Sequence, residues 1–203
     1  LGDVYKRQGQ YTSELLPGGD IRTDIPAYRV FENGEHSATL GDATSYYTPD
    51  MVSFLIGCSF TFETALQDNG IEVAHIAQQR NVPMFKTSIP TTPAGVFSGP
   101  MVVSMRPIPA AQVSDAVRIT SRYPSVHGAP VHVGDPAAIG IADLSRPDFG
   151  EPVEVPDGCL PVFWACGVTP QAIVMESKPR LAITHAPGQM LVTNARDQDF
   201  LIP

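Results

Sequence analysis

Cys58 and Cys166 occupy matched surroundings, and it is the match that makes them candidates for chemistry. Phe54-Leu-Ile-Gly-Cys-Ser-Phe-Thr-Phe-Glu63 reads as a strand, a Gly-Cys turn and a helix. Val162-Phe-Trp-Ala-Cys-Gly-Val-Thr-Pro-Gln171 reads as a strand, a Cys-Gly turn and a helix, with Thr169 as N-cap and Pro170 at the first helical position. In open α/β sheets the carboxyl ends of parallel strands face the ligand crevice. Helix starts placed there offer unpaired N–H groups and partial positive charge, which favour anions. Two such turns side by side would cradle a carboxylate, with Ser59, Gly167 and Thr169 as contacts. A thiol in that field would have a lowered pKa and could act as nucleophile or acid. The competing reading of each cysteine is a small buried residue that permits close packing.

A carboxylate substrate also calls for a cation. Arg22 in D-I-R-T-D and Arg106 in S-M-R-P are the candidates for a bidentate clamp, with Arg80 and Arg122 at comparable turn positions. The alternative for each is a structural or surface ion pair. Glu63, on the first helical turn after Cys58, fits a capping carboxylate better than a general acid or base. His185, just past the end of a strand, and His127 are the candidates for moving a proton. His127, His132 and Asp135 are metal-ligand types, but the two histidines are five apart across a Gly-Pro break. That spacing matches neither helical nor strand ligand geometry, so no metal is expected. Without a glycine-rich dinucleotide fingerprint, a Walker A loop or a G-x-S-x-G elbow, NAD, ATP and hydrolase readings fall away, and no cofactor is expected.

Those groups need a frame. At 203 residues, 43% apolar and 17% charged, the chain can bury a real core. Twenty prolines and seventeen glycines favour many short elements over a helical bundle. The net charge of −8 argues against nucleic acid or an anionic membrane as partner, since both reward basic patches. Three cysteines without a CxxC pair point to a reducing compartment, and with no membrane-length apolar run the expectation is a cytoplasmic protein. Residues 1–8 share no pattern with the rest and receive no structural role. Asn33-Gly34 signals a hairpin, and strands are expected near 51–57, 71–76, 82–87, 101–107, 129–134, 139–144, 180–185 and 190–193. Helical spacing appears after Cys58, closed by Asn69-Gly70, and again over residues 110–123. Strands alternating with helices make this an α/β protein. A main lobe from residues 1–97 and 145–203, with a smaller α+β lobe at 98–144, is the expected organisation.

The blocks D-I-R-T-D-I-P-A-Y-R-V, F-L-I-G-C-S-F-T-F-E, R-N-V-P-M-F-K-T, G-P-M-V-V-S-M-R-P, H-G-A-P-V-H-V-G-D-P, F-W-A-C-G-V-T-P-Q and T-H-A-P-G-Q-M-L-V-T, taken in order, resemble the YcsI-like hydro-lyase family, also grouped as D-glutamate cyclase-like. The resemblance implies a three-layer α/β main lobe with a mixed sheet plus the smaller α+β lobe. It also implies a longer N-terminus than the one present, and a carbon–oxygen lyase that eliminates water. Gln189 and Asn194 stand where the family motif commonly has His and Asp. The expected substrate is a small carboxylate or amino acid, with D-glutamate going to 5-oxoproline and water as the named case; a homo-oligomer is compatible with this. Cys58 or Cys166 would then supply the reactive group, His185 or His127 the proton shuttle, and Ser59, Gly167, Thr169, Arg106 and Arg22 the carboxylate contacts. The alternative is a non-catalytic domain that binds a small anionic metabolite or a partner protein.

Overall fold

Asn33 and Gly34 both adopt positive φ, at 53° and 82°, which is the backbone a two-residue hairpin of matching twist demands. They join β2 (Tyr28–Glu32) to β3 (Glu35–Leu40), and β2 pairs on its other side with β9 (Leu181–His185). This computed structural model describes residues 4–5 and 8–203, residues 4–5 by backbone alone. Within the leading segment, β1 (Val4–Tyr5) pairs with β4 (Phe54–Leu55), where the sequence pattern suggested no structural role.

The sheet that carries the candidate turns has the order β5-β6-β8-β7, from β5 (Met84–Pro90), β6 (Pro100–Pro109), β7 (His132–Val133) and β8 (Cys159–Ala165). β6 is buried along almost its whole length, which explains its unbroken apolar character. Pro107 and Pro109 fall beyond Ser104, the last residue of β6 opposite β5, so the missing N–H groups break no ladder there. Alternation across β6 and β8 then sorts the core. Ile108, Val162 and Trp164 pack with Phe62, Leu66, Ala116 and Ile119, which belong to the helical layer. Val103, Met105 and Phe163 face Ile139, Ile141 and Val153 on the opposite side. Sheet, helices and an irregular loop layer therefore stack as an α/β fold.

The helices are α1 (Glu63–Asp68), α2 (Ala74–Ala77), α3 (Val113–Thr120) and α4 (Thr169–Ser177). Among the described residues none is long and apolar enough to cross a membrane.

Several expectations change in the structure. Every described strand pair is antiparallel, so the described residues form no crevice at the carboxyl ends of parallel strands. The segment 71–76 forms no strand; it leads into α2, and Ile71 and Val73 are buried in the cluster where the helices pack on Ile108, Val162 and Trp164 of the sheet. Residues 139–144 follow a 3₁₀ turn at Pro136–Ile139 and cap the far face of the sheet instead of extending it. Residues 129–134 contribute only the two-residue β7, and 190–193 form no strand.

Candidate functional site

Both cysteine turns follow a strand and open a helix, but unequally. After Cys58 the chain makes a 3₁₀ turn (Ser59–Phe62) before the six-residue α1. After Cys166 it runs through Gly167 and Val168 directly into the nine-residue α4. Thr169 is not the N-cap: that position is Val168, and the Thr169 hydroxyl accepts from the Val102 N–H at 3.0 Å and lies 3.2 Å from its carbonyl. Thr169 thus ties α4 to β6 rather than leaving an oxygen for a ligand. Pro170 is one position further into the first turn, where a missing N–H costs nothing.

The two turns lie against each other. A methyl group on Gly167 would meet the Gly57 carbonyl oxygen at 3.5 Å and His127 Nε2 at 3.9 Å. Gly57 itself has no room for a side chain, since a Cβ would come within 2.6 Å of Val126 and 2.7 Å of the Ser125 carbonyl. That close approach seats the 3₁₀ turn Pro124–Val126 on Gly57, and it ends in His127, whose positive φ of 81° is uncommon for a residue with a side chain. Cys58, Cys166, Gly167 and His127 are therefore brought together. His185 ends β9 beside the first turn of α4, where its carbonyl accepts from Gln171 at 3.4 Å and its Nδ1 faces the Ala186 carbonyl at 2.8 Å.

Electrostatics reverses the expectation for the thiols. Burial pushes the Cys58 thiol up, against the opposing pull of the Phe60 N–H and the Arg106 charge. Burial pushes Cys166 up to about 11, and the Val168 N–H only partly offsets it. Each thiol meets a backbone N–H of its own turn, yet desolvation wins and both stay protonated at neutral pH.

Beneath the Cys58 turn lies a buried polar network. Arg106 is 0% exposed. Its Nε donates to Glu63 Oε1 at 2.8 Å, and its Nη2 donates to the same oxygen. Nη1 reaches Ser104 Oγ at 3.0 Å and Nη2 reaches Ser59 Oγ at 3.1 Å. The guanidinium also lies 5.3 and 5.4 Å from the Phe62 and Trp164 rings. His75 Nε2 approaches Glu63 Oε1 at 3.4 Å. Burial alone would raise the Glu63 carboxyl, but the His75 hydrogen bond and the Arg106 charge outweigh it and hold the pKa below its ordinary value. Arg106 is thus committed to the protein interior, and it reaches the turn through Ser59.

Glu63, read from sequence as a cap, is the acid of this network. His75 and Ser104 escaped the sequence reading altogether. The signal was available in β6: Ser104 and Arg106, two apart in an apolar strand, share one face, and a buried arginine there needs an acid.

Other candidates have separate duties. Arg22 is held by Asp20 at 2.5 Å and stacks 3.5 Å from the Tyr11 ring centroid, with no described contact to the cysteine turns. Arg80 and Arg122 donate to the carbonyls of Pro152 and Ile202. His132 Nε2 lies 2.7 Å from the Asp135 carbonyl, and the Asp135 carboxylate caps the Pro136–Ile139 turn. Trp164 is wholly buried, its indole donating to Thr120 Oγ1 at 3.1 Å, so it packs the core. Two open surface depressions of about 320 and 450 Å³ are lined by other residues, around Thr64 and Arg196 and around Thr12 and Glu14.

Comparison with known proteins places the chain in a family. A family model described as D-glutamate cyclase matches residues 52–194, which spans both cysteine turns and the whole buried network. Three relatives have names that begin "Putative hydro-lyase". One from Corynebacterium urealyticum is 72% identical over 195 residues, 96% of this chain and 74% of its own. One from Corynebacterium jeikeium is 69% identical, covering 96% and 72%. One from Mycolicibacterium gilvum is 63% identical, covering 96% and 74%. This chain belongs to the D-glutamate cyclase family.

Proposed function

We propose that the chain is a hydro-lyase for a small carboxylate or amino acid, and that it converts D-glutamate to 5-oxoproline and water. Family membership supports the class, and the observation that carries the site is the contact between the Gly57-Cys58 and Cys166-Gly167 turns, with His127 against them. In this reaction the substrate amine attacks its own side-chain carboxyl carbon. A C–N bond forms, a C–O bond breaks, and the departing carboxylate oxygen leaves as water with two protons, matching the two that the ammonium gives up. The enzyme must hold the α-carboxylate, accept the amine proton and protonate the leaving oxygen.

In the proposed arrangement the α-carboxylate sits at Gly167 and Val168, where α4 begins and its dipole favours an anion. His127 receives the amine proton; His185, at the end of β9 beside the first turn of α4, is the alternative for that step. Cys58 or Cys166 supplies the proton to the leaving oxygen, because burial keeps both as thiols rather than nucleophilic thiolates. Arg106 contributes through Ser59 and by its charge.

Purified chain incubated with D-glutamate, lactams and hydroxy acids tests the proposal, with Cys58→Ala and Cys166→Ala as variants. The expected result is 5-oxoproline from D-glutamate, and a large loss of turnover in at least one variant. Unchanged turnover in both would remove the thiols from the mechanism. Carboxylate binding by calorimetry without turnover of any compound would favour a binding domain instead.

A further inference from the structure

Glu63 Oε1 is approached by three nitrogens from two directions: Nε and Nη2 of Arg106, reaching from β6, and Nε2 of His75, reaching from α2. All three residues are buried, at 6%, 0% and 5% exposure for Glu63, Arg106 and His75. His75 Nδ1 has no hydrogen-bond partner among the described residues, so Glu63 is the one polar group the imidazole engages there. The Phe60 ring, centred 6.0 Å away, packs beside it.

From Glu63 the network runs on to the candidate site. Arg106 Nη2 donates to Ser59 Oγ, Ser59 Oγ lies 3.4 Å from Ser104 Oγ, and Ser59 directly follows Cys58. A carboxylate bound by one guanidinium can pivot about that contact. A second donor on the same oxygen from a different element removes the freedom and fixes where the guanidinium, and hence Ser59, must lie.

We propose that His75 is a positioning residue for the Cys58 turn: its Nε2 holds Glu63 in place, so that Arg106 pins the Ser59 hydroxyl and the turn keeps one geometry. The inference rests on the reading of that turn as part of the active site, but its test does not require turnover.

Glutamine and asparagine at position 75 separate the two nitrogens of the imidazole. His75→Gln places an amide nitrogen near the position of Nε2, and His75→Asn places one near Nδ1. The full-length chain is treated with iodoacetamide at neutral pH, and alkylation of each cysteine is followed by mass spectrometry. Cys159, which lies opposite Pro109 at the far end of β8, is the internal control.

His75→Asn is expected to speed Cys58 alkylation by about fivefold as the turn opens locally, with Cys159 unchanged. His75→Gln is expected to react at the wild-type rate. The proposal is overturned if His75→Asn leaves Cys58 at the wild-type rate, if Gln reacts as fast as Asn, or if Cys58 and Cys159 rise together. Should His75→Asn not fold, Ser59→Ala replaces it as the open-turn reference. Wild-type rates in Gln with a selective rise in Ser59→Ala then support the proposal, and a raised rate in Gln overturns it. A wild-type chain without D-glutamate turnover would count against the proposed reaction and leave these rates readable.

Discussion

Glu63 shows how one buried carboxylate can couple stability to the candidate site. Removing it would leave Arg106 charged and uncompensated at 0% exposure, whereas removing both partners leaves no orphan. Glu63→Leu is therefore expected to cost about 3–5 kcal/mol in urea unfolding, and Glu63→Leu with Arg106→Met to cost less than the single change. The same residue sets the acid limb. Its folded pKa lies below the ordinary 4.5, so its contribution is complete above that value and is lost as pH falls through the folded pKa. Cys166 sets an alkaline limb of opposite sense. With its thiol raised from 9.0 to about 11, the folded state retains a proton the unfolded chain gives up. Stability should fall by on the order of 2 kcal/mol as pH rises through that window, and Cys166→Ala should flatten this part of the curve.

Two glycines in the facing turns make opposite predictions. Gly57 is required by packing, and Gly57→Ala must push Val126 and the Ser125 carbonyl away, at a cost of about 1–3 kcal/mol in thermal or urea unfolding. Gly167→Ala meets only ordinary contacts at 3.5–3.9 Å, so its stability should match wild type while its methyl group lies where the two turns meet. The turns themselves were legible in sequence, because a strand that ends in Gly-Cys or Cys-Gly before a helical pattern is a local signal. Their partners were not. Glu63 and Arg106 are 43 residues apart, and His75 lies in a short segment whose apolar residues mimic a strand. Thr169 misled for a related reason: it has the residue type of an N-cap, but a backbone neighbour 67 residues away took its hydroxyl. Local chemistry can be read from neighbours in the chain, while pairings across the sheet depend on register.

The sheet β5-β6-β8-β7 gathers strands from Met84 to Ala165, and its two faces carry the main apolar clusters. Trp164, the one tryptophan, is buried in the middle of that arrangement and reports on it. Its fluorescence and the far-ultraviolet circular dichroism should follow a single coincident urea transition; separate transitions would mean that the sheet and its helices unfold independently. The α/β class was legible from alternating strand and helix patterns, but the antiparallel pairing was not, since strand direction leaves little mark on a buried apolar run. If D-glutamate binds where the two cysteine turns meet, as proposed, a methyl group on Gly167 obstructs it. Formation of 5-oxoproline from D-glutamate should be measured for wild type and Gly167→Ala, beside their melting temperatures. Product is expected from wild type, with a loss of about tenfold or more in the variant at unchanged melting temperature. Equal turnover by the two proteins would contradict it.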